Sequence, residues 1–486
     1  MSFRLLAYTN RMSATSPPPL ETVTDVHSAL NHATARVHRP TNISDLSKIV
    51  RRAAQSGARV AICGGRHAMG GQQFADKSEL IDLRAMNRVL HLDVDRGHVK
   101  AEGGIQWPEL IAGIIAAQDQ IEPRVRWGIA QKQTGADALT LGGCLSANIH
   151  GRGLLMAPIV SDVESFTLIG AAGEPVTCSR AHNAELFSLV IGGYGLFGII
   201  VDVTLRLSPR RMLRRIVRVI DIEDAVTAAE RRIREGFLYG DFQFDIDPRS
   251  PDFLTKGVFS GYQPIDDGSV PIGDQRELHR DDWLNLLTLA HSDKSRAFTL
   301  YAQHYLATDG QLYQSDTHQL SDYIEGYHNE VDLRTRATCP GSEMITELYV
   351  PPDRLVEFLH AAAKLLIGRE AQVIYGTIRL IQPDTETVMA WARERFACIV
   401  LNLHIEHKPA AIDRAAEAFR ALIDLADSLG GTYYLTYHRF ATPQQLERSY
   451  PNARAFFAAK RRFDPSSIFE SDWYRHYAPH FAAAAP

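Results

Sequence analysis

A chain of 486 residues exceeds what one hydrophobic core usually serves, so two domains are expected, and 45% hydrophobic with 22% charged residues reads as soluble and globular. A formal charge of -5 without a basic tail excludes an electrostatic footprint for nucleic acid, and no apolar run approaches the roughly 18 residues of a transmembrane helix. Five cysteines, Cys63, Cys144, Cys178, Cys339 and Cys398, stand at spacings of neither a zinc motif nor a disulfide framework, so reduced thiols, no metal and a cytoplasmic location are expected.

In chain order, residues 1–35 read as a leader whose apolar patch is too brief for a signal peptide core. Across 38–53 an X-Pro entry precedes Asn42 or Ser44 as N-cap and an amphipathic helix. An apolar run at 58–62 then leads into Cys63-Gly64-Gly65-Arg66-His67-Ala68-Met69-Gly70-Gly71, and a second run follows at 80–83. A glycine-dense turn between short strands lets backbone N–H groups converge on an anion, because missing Cβ atoms permit close approach. Strands are predicted at 91–94 and 98–102, and a helix started by Pro108 at 107–118. Residues 131–135, ending in Gly135, lead through Thr140 to a second glycine-rich segment, Leu141-Gly142-Gly143-Cys144-Leu145-Ser146-Ala147-Asn148-Ile149-His150-Gly151. Strands at 160–169, 174–178 and 198–207 follow, the last strongly β-branched.

These blocks, with Ala75-Asp76, Met86-Asn87-Arg88-Val89-Leu90, Gly192-Gly193-Tyr194-Gly195-Leu196-Phe197-Gly198 and the C-terminal Arg461-Arg462-Phe463-Asp464-Pro465, Phe469 and Ser471-Asp472, resemble the FAD-binding oxidoreductases of the vanillyl-alcohol oxidase type, which have the PCMH fold. The N-terminal blocks are similar to those of the L-gulonolactone and alditol oxidases, and the C-terminal one to that of the decaprenylphosphoryl-ribose oxidases. The resemblance implies an α+β protein. A two-subdomain PCMH-type FAD-binding domain would span 36–208, a substrate domain with an antiparallel sheet covered by helices 209–440, and a segment returning to the FAD domain 441–486. It also implies FAD held by Gly64, Gly65, Arg66, His67, Ala68, Met69, Gly70, Gly135, Thr140, Leu141, Gly142, Gly143, Ala147, Asn148, His150, Gly151, Ile199, Ile200 and Tyr434. In oxidases of the family a histidine at the place of His67 is bonded to the flavin 8α carbon, whereas the decaprenylphosphoryl-ribose oxidases lack it. A neutral imidazole suits such a bond because its nitrogen is nucleophilic. Ala68 departs from the serine that many covalent members carry. Cys144 stands where the family has a small residue and reads as packing. His150 either contacts cofactor or substrate or is a core histidine satisfied by its neighbours.

Beyond Ser208-Pro209-Arg210-Arg211 the text changes to a charged helical stretch at 222–234 and a polar region at 245–275, a plausible boundary. Strand, helix, strand, strand and helix are predicted at 342–350, 352–367, 373–381, 397–406 and 410–430, the pattern of an antiparallel sheet with helices on one face. Tyr375-Gly376-Thr377-Ile378-Arg379 resembles the Glu-X-Arg strand of the polyol and lactone oxidases: Arg379 keeps the cation that stabilises developing negative charge, and Thr377 replaces the glutamate. Alternation puts Asn402, His404 and Glu406 on one strand face, which makes His404 a candidate. Counting from Gly430-Gly431, Tyr437 falls where relatives carry a catalytic lysine. It could serve as acid or base if a neighbouring cation lowered its pKa, with His438 as the other proton acceptor or both as aromatic packing. The expected function is oxidation of a CH–OH group in a sugar, polyol or sugar-derived small molecule, by hydride transfer to FAD, with oxygen or another electron acceptor. A dehydrogenase or epimerase partner using a non-oxygen acceptor is the alternative, and an electron-transfer flavin subunit without its own substrate site is the alternative of another class.

Overall fold

The computed structural model describes residues 18–27, 29–121, 125–266, 275–321 and 324–482. Helices and sheets alternate through an α+β chain with three principal sheets. In the first sheet, Leu20–Thr24 runs antiparallel to His32–His38, which pairs in parallel with Glu79–Asp82 and through it with Val60–Cys63. Residues 20–24 and 32–35, expected in a leader, therefore belong to this sheet. Their alternating buried and exposed positions mark a strand edge, but they are too few and too polar to stand out in the sequence. The helix Ile43–Ser56 begins at Asn42, whose side chain accepts from the Asp45 N–H at 3.0 Å, and ends on Gly57 at φ 72.

The second sheet is antiparallel, in the order Val89–Asp93, His98–Glu102, Ile199–Arg206, Val163–Ile169 and Pro175–Ser179. The third has eight strands, and five of them carry the site: Tyr239–Phe244, Gln372–Ile381, Phe396–Glu406, Gly341–Val350 and the short Thr432–Tyr433, neighbours in that order. Along Phe396–Glu406, the buried Ile399, Leu401, Leu403 and Ile405 alternate with Val400, Asn402, His404 and Glu406. The helix Pro409–Ser428 packs on this sheet, with Leu355–Gly368 beside it. The other face is not bare, as had been expected. Arg280–Ser292, Lys294–Ala307 and Tyr327–Thr335 cover much of it. Their mixed apolar and polar text carries little helical periodicity, so they left a weak trace in the sequence.

The end of the chain closes the first sheet. Val60 donates to the Ile468 carbonyl at 2.7 Å and accepts from Glu470 at 3.0 Å, while Phe469 bridges to Val60. The Asp464 carboxylate accepts from the N–H groups of Ile468 and Phe469 at 2.9 and 2.8 Å and pairs with Lys460 one helical turn earlier. Both side chains are essentially sealed from water, so removing one charge strands the other. Asp464→Asn should lower stability by about 3–5 kcal/mol in denaturant unfolding. A midpoint equal to that of the parent protein would show that the segment is held without this pair.

Candidate functional site

A cavity of about 460 Å³ lies between the two glycine-rich segments, the polar face of the eight-stranded sheet and the helices over it. The first glycine segment leaves the C-terminal end of Val60–Cys63 and turns through Arg66 at φ 59, a left-handed conformation that non-glycine residues rarely hold. Backbone approach here is too close for side chains: a Cβ on Gly64 would lie 2.0 Å from Thr140 Oγ1, and one on Gly65 2.0 Å from the Ala138 carbonyl oxygen. The second segment forms the short helix Leu141–Ala147, capped by Thr140, and Gly142 donates to the Gly103 carbonyl at 2.7 Å.

The lining includes Gly64, Gly65, Arg66, His67, Ala68, Gly135, Thr140, Gly142, Gly143, Ala147, Ile200 and Tyr434 from the cofactor expectation, and Arg379 and Tyr437 from the catalytic one. The remaining expected residues stand behind this wall. Met69 and Gly70 donate their N–H groups to the Thr436 carbonyl at 2.9 and 3.1 Å, which binds the loop to the distant chain end. Leu141 and Ile199 are core residues. Asn148, at φ 48, gives its amide to Asp384 at 2.8 Å, and Gly151 donates to Gln131 Oε1 at 3.2 Å. His438 fails as a base because it projects to the opposite sheet face, where it stacks on Phe419 and meets Thr346 Oγ1 at 3.2 Å. His404 lies on the expected strand face but is turned to Glu343 at 3.2 Å rather than into the cavity. His150 is fully buried. Its Nδ1 faces the Gly151 carbonyl at 3.0 Å and its Nε2 the Glu347 carboxylate at 2.5 Å, so the ring is placed to donate from both nitrogens.

Two groups not singled out in the sequence shape the chemistry. His27 lies in the supposed leader, on a turn whose N–H groups converge on the Asp25 carboxylate and whose Val26 donates to the Arg66 carbonyl at 3.0 Å. Its Nε2 reaches His67 Nδ1 at 2.8 Å. Burial lowers His27 to about 3, and burial with the adjoining His27 and Arg66 holds His67 well below its ordinary value, so both rings are neutral near pH 7. Glu347 is the second. Burial would raise its carboxyl, but His150, the Tyr349 hydroxyl at 2.6 Å and Arg379 outweigh burial and hold it at about 2. Its Oε2 is sealed from water without a hydrogen-bond partner among the described residues. A signal for Glu347 existed: Glu343, Ile345, Glu347 and Tyr349 alternate along one strand and share a face.

Tyr437 therefore sits beside an anion as well as a cation. Burial first, and then Glu347, push its phenol well above the ordinary value, against the lowering effect of Arg379. The condition for Tyr437 to act as a base, a pKa lowered by a neighbouring cation, is therefore not met, and Tyr437 is a protonated hydrogen-bonding group at neutral pH. Arg379 is 6% exposed, and its Nε and Nη1 have no hydrogen-bond partner among the described residues. Arg66 Nε, Gln133 Oε1 and Thr134 Oγ1 are likewise buried and unsatisfied on the glycine side. Unpaired polar atoms on both walls of a cavity where Gly64 and Gly65 admit no Cβ fit a large polar cofactor held by backbone groups.

A family profile described as an FAD binding domain matches residues 34–179. The chain is 31% identical over 475 residues to cytokinin dehydrogenase 10 of Oryza sativa subsp. japonica, covering 90% of this chain and 83% of that protein. It is 24% identical over 446 residues to L-gulono-1,4-lactone dehydrogenase of Mycobacterium tuberculosis, covering 91% and 96%. L-gulonolactone oxidase of Bos taurus is 30% identical over 173 residues, 35% of this chain and 37% of that protein. Among the described residues no helix is long and apolar enough to cross a membrane. With a cradle shaped for a polar cofactor and a relative aligned along most of both chains, this chain belongs to the PCMH-type FAD-binding oxidoreductases and is an FAD-dependent oxidoreductase.

Proposed function

We propose that the protein oxidises a CH–OH group of a sugar-derived substrate, and the observation that carries this reading is the unpartnered Arg379 guanidinium facing the cavity beside Tyr437. FAD, when bound, supplies the hydride acceptor. Gly64, Gly65, Gly142 and Gly143 hold it by close backbone approach, with Arg66 and Thr140 at the same wall. Arg379 stabilises negative charge that develops on the substrate oxygen, as a fixed cation in a desolvated site does. Tyr437, a protonated phenol on the same wall, donates a hydrogen bond to that oxygen. Asn402 Oδ1, also buried and unpaired, is placed to accept from a further substrate hydroxyl. The aligned relatives named for a gulonolactone support a sugar-lactone or polyol substrate.

A second substrate class is favoured by the wall of Trp283, Leu286, Leu287 and Phe298, which suits an apolar substituent, and by the long alignment with a protein named as a cytokinin dehydrogenase. Anaerobic flavin bleaching with sugar lactones, polyols and cytokinins, followed by admission of air, separates the two readings and tests oxygen as acceptor. Bleaching by lactones or polyols is expected. Bleaching by cytokinins alone would overturn the sugar reading.

Tyr437→Phe and Arg379→Ala should each slow substrate-driven flavin reduction by about a hundred- to a thousand-fold, with FAD content unchanged. Wild-type rates in both would remove this wall of the cavity from the reaction.

We further propose that His67 carries the cofactor covalently. Its neutral imidazole, in contact with the equally neutral His27, supports this reading. Acid denaturation should leave yellow flavin on the precipitated chain, and His67→Ala should release it. Yellow colour wholly in the supernatant of the parent protein would show that His67 only contacts the cofactor.

A further inference from the structure

Where the helices over the sheet meet its polar face, three imidazoles and a phenol surround one carboxylate. Glu343, 3% exposed, pairs directly across the strands with His404. His291, near the end of Arg280–Ser292, comes down from above, and Tyr327 and His328 start the helix Tyr327–Thr335. The two carboxylate oxygens are used differently. Oε2 accepts from the Tyr327 hydroxyl at 2.7 Å and from His328 Nδ1 at 2.7 Å, which fixes the plane of the group. Oε1 is approached by His404 Nδ1 at 3.2 Å and by His291 Nε2 at 3.0 Å.

The His291 contact is the informative one. Its Nε2 is sealed from water and 3.0 Å from a carboxylate oxygen, yet it makes no hydrogen bond to any described residue, because the ring is not aligned for one. A buried ring nitrogen left unbonded beside a carboxylate oxygen is a donor atom still available to a third partner. Ligands of one tetrahedral zinc stand about 3.3 Å apart, given zinc–nitrogen distances of about 2.0–2.1 Å. One ligand atom from each of His291, Glu343 and His404 lies within 4.8 Å of the other two. Lys294, one turn beyond His291, offers its ammonium to the carbonyls of Ala290 and Val373, so it leaves Oε1 to the two imidazoles. In a second cluster, His150, Glu347 and Cys398, the Glu347 Oε1 takes three hydrogen bonds, whereas Glu343 Oε1 takes one, from His404 Nδ1.

We propose that His291, Glu343 and His404 bind a divalent transition-metal ion, zinc before others, with His328 and Tyr327 holding the carboxylate from behind. Two imidazoles and a carboxylate are a donor set that zinc accepts, and a hydrogen-bonded outer partner on a ligand is a recurrent feature of such sites. Glu343 is part of the cavity wall. An ion with three protein ligands there keeps a coordination position for an oxygen donor, and with a single anionic ligand it retains a net positive charge toward an anionic or hydroxyl group.

The test uses metal-stripped full-length protein carrying its FAD, dialysed against zinc chloride and read by elemental analysis. One zinc per chain is expected, lost in His291→Ala and in His404→Ala with FAD content retained and with no rise of the thermal midpoint on adding zinc, a rise expected for the parent protein. His328→Ala should weaken zinc binding by about 10–100-fold without abolishing it. Should the alanine variants not fold, zinc X-ray absorption of the parent protein decides: two imidazoles with oxygen donors are expected. Protein that takes up no zinc, zinc unchanged in both variants, or a zinc environment with sulfur or without imidazole would each overturn the assignment. None of these readings depends on turnover, so their failure leaves the proposed reaction standing.

Discussion

The pleat of the eight-stranded sheet puts Glu343, Glu347, Arg379 and Asn402 on one face, and that face is buried. A sheet face in water could carry these groups at no cost, but here each must find a partner or remain an unsatisfied group in a medium that magnifies charge. The chain meets this in part with neighbours on the same face: His150, Tyr349 and Cys398 crowd onto Glu347 Oε1, and His328 and Tyr327 onto Glu343 Oε2. What it leaves unpaired, above all the Arg379 guanidinium and Glu347 Oε2, is concentrated next to Tyr437. Structural satisfaction and reactivity are thus divided between atoms of the same residues.

The opposite wall works by subtraction. Gly64 and Gly65 lie so near Thr140 and Ala138 that even one carbon would collide, and Arg66 is held at positive φ between them and His67. Strain of this kind persists where surroundings over-determine the backbone. Hydrogen bonds from Met69 and Gly70 to the Thr436 carbonyl, and from Val26 to the Arg66 carbonyl, supply that determination from two distant parts of the chain. The same bonds bring His27 against His67.

The cradle was legible in the sequence because glycine has few reasons to cluster, and the first loop could be placed between strands from the apolar runs on either side of it. Arg379 and Tyr437 were legible by resemblance, but not the ionisation of Tyr437, which depends on a carboxylate contributed by another strand. His438 shows how sharp the limit is. One step along the chain from Tyr437 places it on the other face of the sheet, among Phe419 and Phe440. His27 was invisible for a different reason: its partner is 40 positions away, and nothing local marks it. The helices Arg280–Ser292 and Lys294–Ala307 were missed because their apolar and polar residues are mixed and they carry no clean apolar stripe.

The tie between the glycine loop and residues 435–436 also bears on the order of events during synthesis. Gln72 donates to the Leu435 carbonyl 363 positions later, and the neighbouring strand Val60–Cys63 is closed by Phe469. Until the last part of the chain has left the ribosome, the loop lacks the partners that set its curvature and the first sheet has an open edge. The glycines of the first loop are therefore made early and shaped late, so cofactor loading waits on residues 435–469.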